Sequence, residues 1–186
     1  MKKIYLSAII GLTVLLAACG DSAIEEFAHT DHRGEELSLG DLKGSPWLAT
    51  FVFTNCTTVC PPMTFNMVGI QQELQDQGIE DYKIVAFSVD PVIDKPEVLA
   101  DYLDKFNVPD PGKWHLLTGY SQDAIAAYAK DNFKAFVKND PSSDQVVHGT
   151  SFYLIDQQGE IVHNYDGYTD VPEKEIAADM QDLLAE

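Results

Sequence analysis

The sequence has few basic side chains and few cysteines. Of its 186 residues, 12 are Lys or Arg and 30 are Asp or Glu, which gives a formal net charge of -18. Such acidity argues against nucleic acid as a partner, because a polyanion would be repelled. It also argues against direct adsorption to anionic lipid. Hydrophobic residues make up 45% of the chain, which is enough to build the core of one domain.

Long apolar runs are absent except at the amino terminus. Residues 4–18 follow Lys2 and Lys3 and end in small residues before Cys19, an arrangement that resembles a bacterial lipoprotein signal peptide. An ordinary signal peptide with an incidental cysteine is the alternative. Lipidation would hold the protein on the outer face of the bacterial cytoplasmic membrane. The predicted divisions are a signal peptide over residues 1–18, a lipidated cysteine and tether over 19–26, and one domain over 27–186.

The remainder of the sequence alternates between strand and helix patterns. Apolar, β-favouring runs at residues 47–53 and 83–89 are typical of buried strands. Hairpins are predicted at 27–44 and 150–165, and helical stripes after Pro61, over 98–106, over 121–133 and after a capping-box pattern at Asp170–Glu173. This order predicts an α/β fold of thioredoxin-like topology, with a central mixed β-sheet flanked by helices and an N-terminal β-hairpin extension.

Cys56 and Cys60 lie between a predicted buried strand and a helix start. Unpaired backbone N–H groups at that position favour thiolates. On one helical turn the two Cα atoms would be about 6 Å apart, within reach of a disulfide. The pair can therefore be two thiolates, a disulfide or two soft metal ligands. A purely structural disulfide is disfavoured, because closing so short a loop removes little entropy from the unfolded chain.

A metal site needs a further ligand. Two thiolates alone suit Cu(I), and an added imidazole makes the site acceptable to both Cu(I) and Cu(II). His148 is the best candidate, because it precedes the strand that should enter the sheet beside the cysteine loop; an exposed histidine in a flexible loop is the alternative. His115 and His163 lie within strand patterns, which favours structural roles. The spacing of His29 and His32 permits only adventitious binding.

The ordered combination of four sequence pieces resembles the SCO/SenC family: residues 51–64, residues 87–91, residues 114–119, and His148 followed by residues 152–155. The resemblance implies a thioredoxin-like fold and copper as Cu(I) or Cu(II). It also implies assembly of the binuclear copper centre of cytochrome c oxidase subunit II. The copper ligands of the family fall on Cys56, Cys60 and His148, and an aspartate held near the site falls on Asp90. Thr57 and Gly149 depart from the common pattern without affecting this ligand set.

Two other activities use the same fold. A thiol-disulfide oxidoreductase could keep the oxidase copper-site cysteines reduced, but thioredoxins use CxxC, and here a histidine stands where their guiding proline is expected. A peroxiredoxin-like peroxidase is disfavoured because Arg33, the single arginine, is far in sequence from the cysteines. The resemblance therefore implies a membrane-anchored copper metallochaperone with subunit II as partner and an unidentified copper donor, whose main role is not enzymatic. From the composition we expect a monomer that does not bind nucleic acid.

Overall fold

The computed structural model of the protein describes residues 23–185. The predicted signal peptide and Cys19 lie outside these residues. The strands are β1 (Ala28–Asp31), β2 (Glu36–Ser38), β3 (Trp47–Val52), β4 (Lys83–Ser88), β5 (Trp114–Thr118), β6 (Val137–Asn139), β7 (Val146–His148), β8 (Ser151–Ile155) and β9 (Ile161–Asp166). The helices are α1 (Leu39–Leu42), α2 (Cys60–Asp76), α3 (Pro96–Leu103), α4 (Gln122–Phe133) and α5 (Glu173–Leu184).

A central mixed sheet organises the domain. Its strand order is β2-β1-β5-β4-β3-β8-β9. The three central strands β3, β4 and β5 are parallel, whereas the pairs outside them are antiparallel. With helices flanking this sheet, the structure confirms the predicted thioredoxin-like architecture. It also confirms the N-terminal hairpin, in which β1 pairs with β2.

The core lies on both faces of the parallel strands. Every residue of β3 and β5 is buried, as expected for strands covered on two sides. On one face the Phe133 ring of α4 packs against Phe51 and Phe87, with ring centroids 5.3 and 5.8 Å apart. This packing fixes the carboxyl end of β3. The loop that connects β3 to α2, residues 53–59, contains Cys56 and is called the cysteine loop below.

The structure corrects the predicted start of the last helix. The N-cap of α5 is Pro172, and no side chain caps the helix. Asp170 instead adopts a left-handed conformation with φ of 49°, so the predicted capping box does not form. Residues 167–170 form bends between β9 and α5, and their backbone conformation is incompatible with the local capping pattern.

Two further features were not predicted. Strands β6 and β7 pair as a separate two-stranded antiparallel sheet. At the other end of the chain, the described part of the predicted tether contacts the domain: Ile24 is buried, and its N–H donates to the Gly159 carbonyl at 2.9 Å. Within residues 23–185, no helix has both the length and the apolar character needed to cross a membrane.

Candidate metal centre

Three elements bring the predicted ligands together. Cys56 lies in the loop after β3, Cys60 is the first residue of α2, and His148 is the last residue of β7. One ligand atom from each of the three side chains lies within 4.8 Å of the other two. The three residues are only 7%, 1% and 8% exposed, respectively. The structure thus gathers two sulfurs and one imidazole at a nearly enclosed point.

Hydrogen bonding orients the imidazole of His148. Its Nδ1 lies 2.8 Å from the carbonyl oxygen of Gly149, which can only accept, so Nδ1 carries the proton. The lone pair is then on Nε2, which lies 3.2 Å from Sγ of Cys60. The ring also packs edge-on against Phe53, with centroids 5.7 Å apart. A backbone carbonyl that fixes the opposite nitrogen is typical of metal-binding histidines.

The two thiols are electrostatically unequal. The backbone N–H of Cys60 donates to Sγ of Cys56 at 3.3 Å. A hydrogen bond from the Cys60 side chain lowers the pKa of Cys56, and burial opposes this effect only in part. The same hydrogen bond, reinforced by burial, raises the pKa of Cys60. The reduced pair therefore holds a thiolate at Cys56 and a thiol at Cys60, and a metal would displace the remaining proton.

The β6–β7 hairpin is fastened to the cysteine loop. Nδ2 of Asn55 donates to Oδ2 of Asp144 at 2.9 Å, and Nε2 of Gln145 donates to the Asn55 carbonyl at 3.1 Å. These contacts join the hairpin turn to the residue just before Cys56. Sequence reasoning missed them, because a three-residue strand has too few positions to show a hydrophobic period.

Asp90 lies beside the site rather than among the ligands. It is partly buried at the end of β4, and its backbone N–H donates to Oγ of Ser88 at 3.1 Å. It lines a cleft of about 330 Å³ with the hairpin residues Asp140 and Asp144. Burial, reinforced by the negative charge of Asp144, raises the pKa of Asp90. Its role near a bound metal stays a prediction.

Other histidines have structural surroundings. Nδ1 of His115 lies 3.1 Å from Oδ2 of Asp31 and 2.7 Å from Nη2 of Arg33. His163 is exposed and stacks on Tyr165, with ring centroids 5.8 Å apart. Both lie in strands of the central sheet, away from the hairpin that carries His148.

The donor set is soft. Two sulfurs and one imidazole suit copper and disfavour magnesium or calcium, which prefer oxygen ligands. A structural zinc site normally has four protein ligands, one more than this group supplies. The fold and the site together define a thioredoxin-like protein with a dithiol–imidazole centre for a soft metal.

Comparison with known proteins identifies the family. The SCO1/SenC family model matches residues 18–185. The chain belongs to the SCO1/SenC family, as its sequence pieces predicted.

Solved structures of similar proteins agree with this assignment. A SCO1/SenC family lipoprotein from Bacillus anthracis is 45% identical, with a TM-score of 0.85 over 89% of this chain and 96% of that one. BsSco, described as a Sco family cytochrome c oxidase assembly protein with a disulfide switch, is 41% identical, with a TM-score of 0.79 over 88% and 94%. Copper-bound ScoI from Bradyrhizobium japonicum is 25% identical, with a TM-score of 0.73 over 87% and 99%.

Proposed function

We propose that this protein is a membrane-anchored metallochaperone that carries copper to the binuclear copper centre of cytochrome c oxidase subunit II. The observation that carries the proposal is the convergence of Cys56, Cys60 and His148 within 4.8 Å. Two relatives support it: one is described with copper bound, and the other as an oxidase assembly protein. Copper here is cargo, held by ligands that a second protein can replace one at a time.

Copper binding is tested by titrating the reduced protein with Cu(II). We expect a thiolate-to-copper charge-transfer band and a paramagnetic spectrum that shows nitrogen coordination. His148→Ala should abolish the band, and His163→Ala, which removes an exposed histidine, should leave it unchanged. An unaltered band in His148→Ala would remove His148 from the site.

Delivery requires a separate experiment. The copper-loaded protein is mixed with the metal-free copper-site domain of subunit II, and the spectrum of the binuclear centre is followed. Formation of that spectrum supports the metallochaperone. If the copper stays on this protein, the function is copper storage or sensing rather than delivery.

We also propose that Cys19 is lipidated and anchors the protein on the outer face of the bacterial cytoplasmic membrane. The motif before Cys19 supports this location, and so does the description of the Bacillus anthracis relative as a lipoprotein. Cys19→Ala should move the protein from the membrane fraction to the soluble fraction. Continued membrane retention of that variant would contradict a lipid anchor.

The unequal thiols favour thiol-disulfide exchange as the second candidate. The Cys56 thiolate would attack a partner disulfide, and Cys60 would then resolve the mixed disulfide, releasing the partner as a dithiol. The disulfide switch described for BsSco supports this chemistry. An oxidised peptide from the oxidase copper site is the substrate for the test. Rapid reduction that persists in His148→Ala without copper would make the oxidoreductase the main role.

A further inference from the structure

Exposed apolar side chains lie on the outer face of the hairpin that carries His148. Along β7, Val146 and His148 are buried, whereas Val147 between them is 55% exposed. Phe136, one residue before β6, is 58% exposed. Its carbonyl oxygen accepts the Gly149 N–H at 3.1 Å, so its backbone is held beside His148 while its side chain remains exposed. Clustered apolar side chains at a surface indicate a binding site.

A groove of about 530 Å³ lies next to these side chains, between α4 and β6. Its apolar lining comes from both elements and the segment that joins them: Ala126, Ala127, Ala135, Phe136 and Val137. Lys130, Asp131 and Lys134 complete the lining. Val137 is also the cross-strand partner of His148. A molecule in this α4–β6 groove would therefore contact the strand that pairs with His148.

The surroundings of the groove are basic, although the protein as a whole is acidic. Lys130 and Lys134 line the groove, and Lys138 on β6 is the cross-strand partner of Val147. All three lysines are exposed, and they make up three of the 12 basic residues in the chain. Among residues 23–185, none of the three forms an ion pair with a carboxylate. Their charges are therefore available to a binding partner.

This chemistry selects a protein segment that presents an apolar side chain flanked by carboxylates. The apolar lining accepts the side chain, and the lysines accept the carboxylates. A lipid surface is disfavoured, because the groove is concave and the protein carries a formal net charge of -18. The same charge disfavours a second copy of this chain, since two such copies repel each other.

We propose that the α4–β6 groove, with Phe136, Val147 and Lys138 beside it, is the surface on which the protein that accepts copper docks. The acceptor presents an apolar side chain flanked by carboxylates to this surface. Because the proposal rests on the metallochaperone function, it names the docking surface for the partner of that function. The acceptor then contacts the same short hairpin that holds His148 beside the sulfurs.

Calorimetric titration with the metal-free copper-site domain of subunit II tests the proposal on the copper-free protein. Phe136→Ala should weaken binding about tenfold or more, because it removes the largest exposed apolar side chain of the groove. The variant keeps the carbonyl that accepts from Gly149, so its copper charge-transfer band should be unchanged.

Phe65→Ala is the matched control for the aromatic variant. Phe65 is 68% exposed on α2. Helix α2 contacts Trp114 through Gln71, on the sheet face opposite to the one where α4 packs against Phe87. Phe65→Ala should therefore change the affinity for the acceptor domain by less than about twofold, since an exposed side chain outside the interface contributes little.

Reversal of charge tests the lysines. The double variant Lys130→Glu with Lys134→Glu should weaken binding at least about tenfold at low salt, and its affinity should depend less on salt than that of the wild type. Lys105→Glu with Lys174→Glu makes the same change in net charge at exposed lysines outside the groove. This control should stay within about twofold of the wild-type affinity, because only the long-range charge is altered.

The outcomes separate the docking surface from the proposed function. If the wild-type protein binds the domain and delivers copper, but Phe136→Ala and the Lys130/Lys134 variant bind as tightly as it does, the groove is wrong and the metallochaperone stands. Equal losses in the control variants also overturn the groove. If the wild-type protein neither binds the domain nor delivers copper to it, both proposals are overturned.

The other two occupants are checked with Cys19→Ala protein, which lacks the proposed lipid anchor. Binding to phosphatidylglycerol vesicles that is lost on reversal of Lys130 and Lys134 would assign the groove to lipid. Self-association in analytical ultracentrifugation that is lost in Phe136→Ala would assign it to a second copy of the chain. Either result overturns the proposal, and we expect neither.

Discussion

Nε2 of His148 lies 3.2 Å from Sγ of Cys60, although 88 residues separate them in the chain. The Gly149 carbonyl holds the proton of His148 on Nδ1, so the lone pair on Nε2 faces the Cys60 sulfur. The Cys60 S–H donates to Cys56, so Cys60 keeps its proton while Cys56 carries the negative charge. The imidazole nitrogen therefore lies beside the sulfur pair before any metal binds.

The first prediction concerns alkylation of the two cysteines. At about pH 6, iodoacetamide should modify Cys56 at least about tenfold faster than Cys60, because only a thiolate reacts at a useful rate. Cys56 is also slightly more exposed, at 7% against 1%. Peptide mapping by mass spectrometry after brief labelling measures the ratio. Equal labelling of both cysteines would contradict the assigned charge distribution.

The second prediction concerns the contact between the hairpin and the cysteine loop. Asn55→Ala removes the hydrogen bond to Asp144 and leaves the backbone acceptor for Gln145 in place. Loss of one such bond should lower copper affinity about threefold to tenfold, since it is worth about 0.5–1.5 kcal/mol in holding His148 over the sulfurs. Competition with a chelator of known affinity measures the change, and hydrogen exchange of residues 140–148 should become faster.

A matched control for Asn55→Ala lies within the same hairpin turn. Ser142 donates to Asp140 through both its N–H and its hydroxyl, and within residues 23–185 it makes no hydrogen bond to the cysteine loop. Ser142→Ala should therefore leave copper affinity unchanged. Equal losses of affinity in the two variants would show that the turn itself matters, and not its contact with Asn55.

The third prediction concerns stability at Gly167. A Cβ at this position would lie 2.7 Å from the Thr150 carbonyl oxygen and from a ring carbon of Phe152, closer than such atoms normally approach. Gly167→Ala should therefore lower the free energy of unfolding by about 1–3 kcal/mol. Gly149→Ala, where a Cβ would meet nothing within 4 Å, is the control. Urea unfolding of both variants tests the difference, and similar midpoints would refute it.

The fourth prediction concerns the dependence of stability on pH. Burial, reinforced by the positive charge of Arg33, lowers the pKa of His115 to about 4. In the unfolded chain a histidine titrates near about 6.5, so between these values the unfolded state binds a proton that the folded state does not. The contribution of His115 to stability should therefore fall as the pH drops through this window, by at most about 1.4 kcal/mol per pH unit.

Thermal unfolding between about pH 7 and 4.5 measures this slope. His115→Gln should reduce the slope, and His163→Gln, at an exposed position, should not. Burial also lowers the pKa values of His29 and His32, which act in the same direction and are present in both variants. Asp31 does not interfere in this range. Burial would raise the pKa of Asp31, but hydrogen bonds from the Arg33 and Glu35 N–H groups, with the Arg33 charge, lower it overall. Its contribution is therefore lost only below its ordinary pKa. A slope that is unchanged in His115→Gln would assign the effect to other groups.

The sequence predicted the central sheet because the parallel strands are buried on both faces. Residues 47–53 and 83–89 are predominantly apolar runs, and their short length between turns favours buried strands over helices. The sequence also predicted which side chains could be metal ligands, because Cys56, Cys60 and His148 carry soft donor atoms and lie at or near the ends of predicted strands and helices. Their convergence within 4.8 Å, however, depends on tertiary packing that periodicity does not encode.

The hydrogen bonds of Asp94 show which contacts a sequence pattern does not predict. Asp94 lies in a short polar segment before α3, and its hydrogen-bond partners Thr54 and Ser88 are 40 and 6 residues away in the chain. No local propensity links these three positions. The incorrect capping box at Asp170 illustrates the opposite case, in which a valid local pattern yields to a turn set by the packed sheet.

The two-stranded sheet that carries His148 is not part of the seven-stranded ladder. A change confined to residues 137–148 therefore leaves the hydrogen bonds between the central strands in place. Replacement of this one hairpin would therefore remove the imidazole and leave the sulfur pair on its own elements. The third ligand is thus the one that can be exchanged without altering the strand pairing of the central sheet.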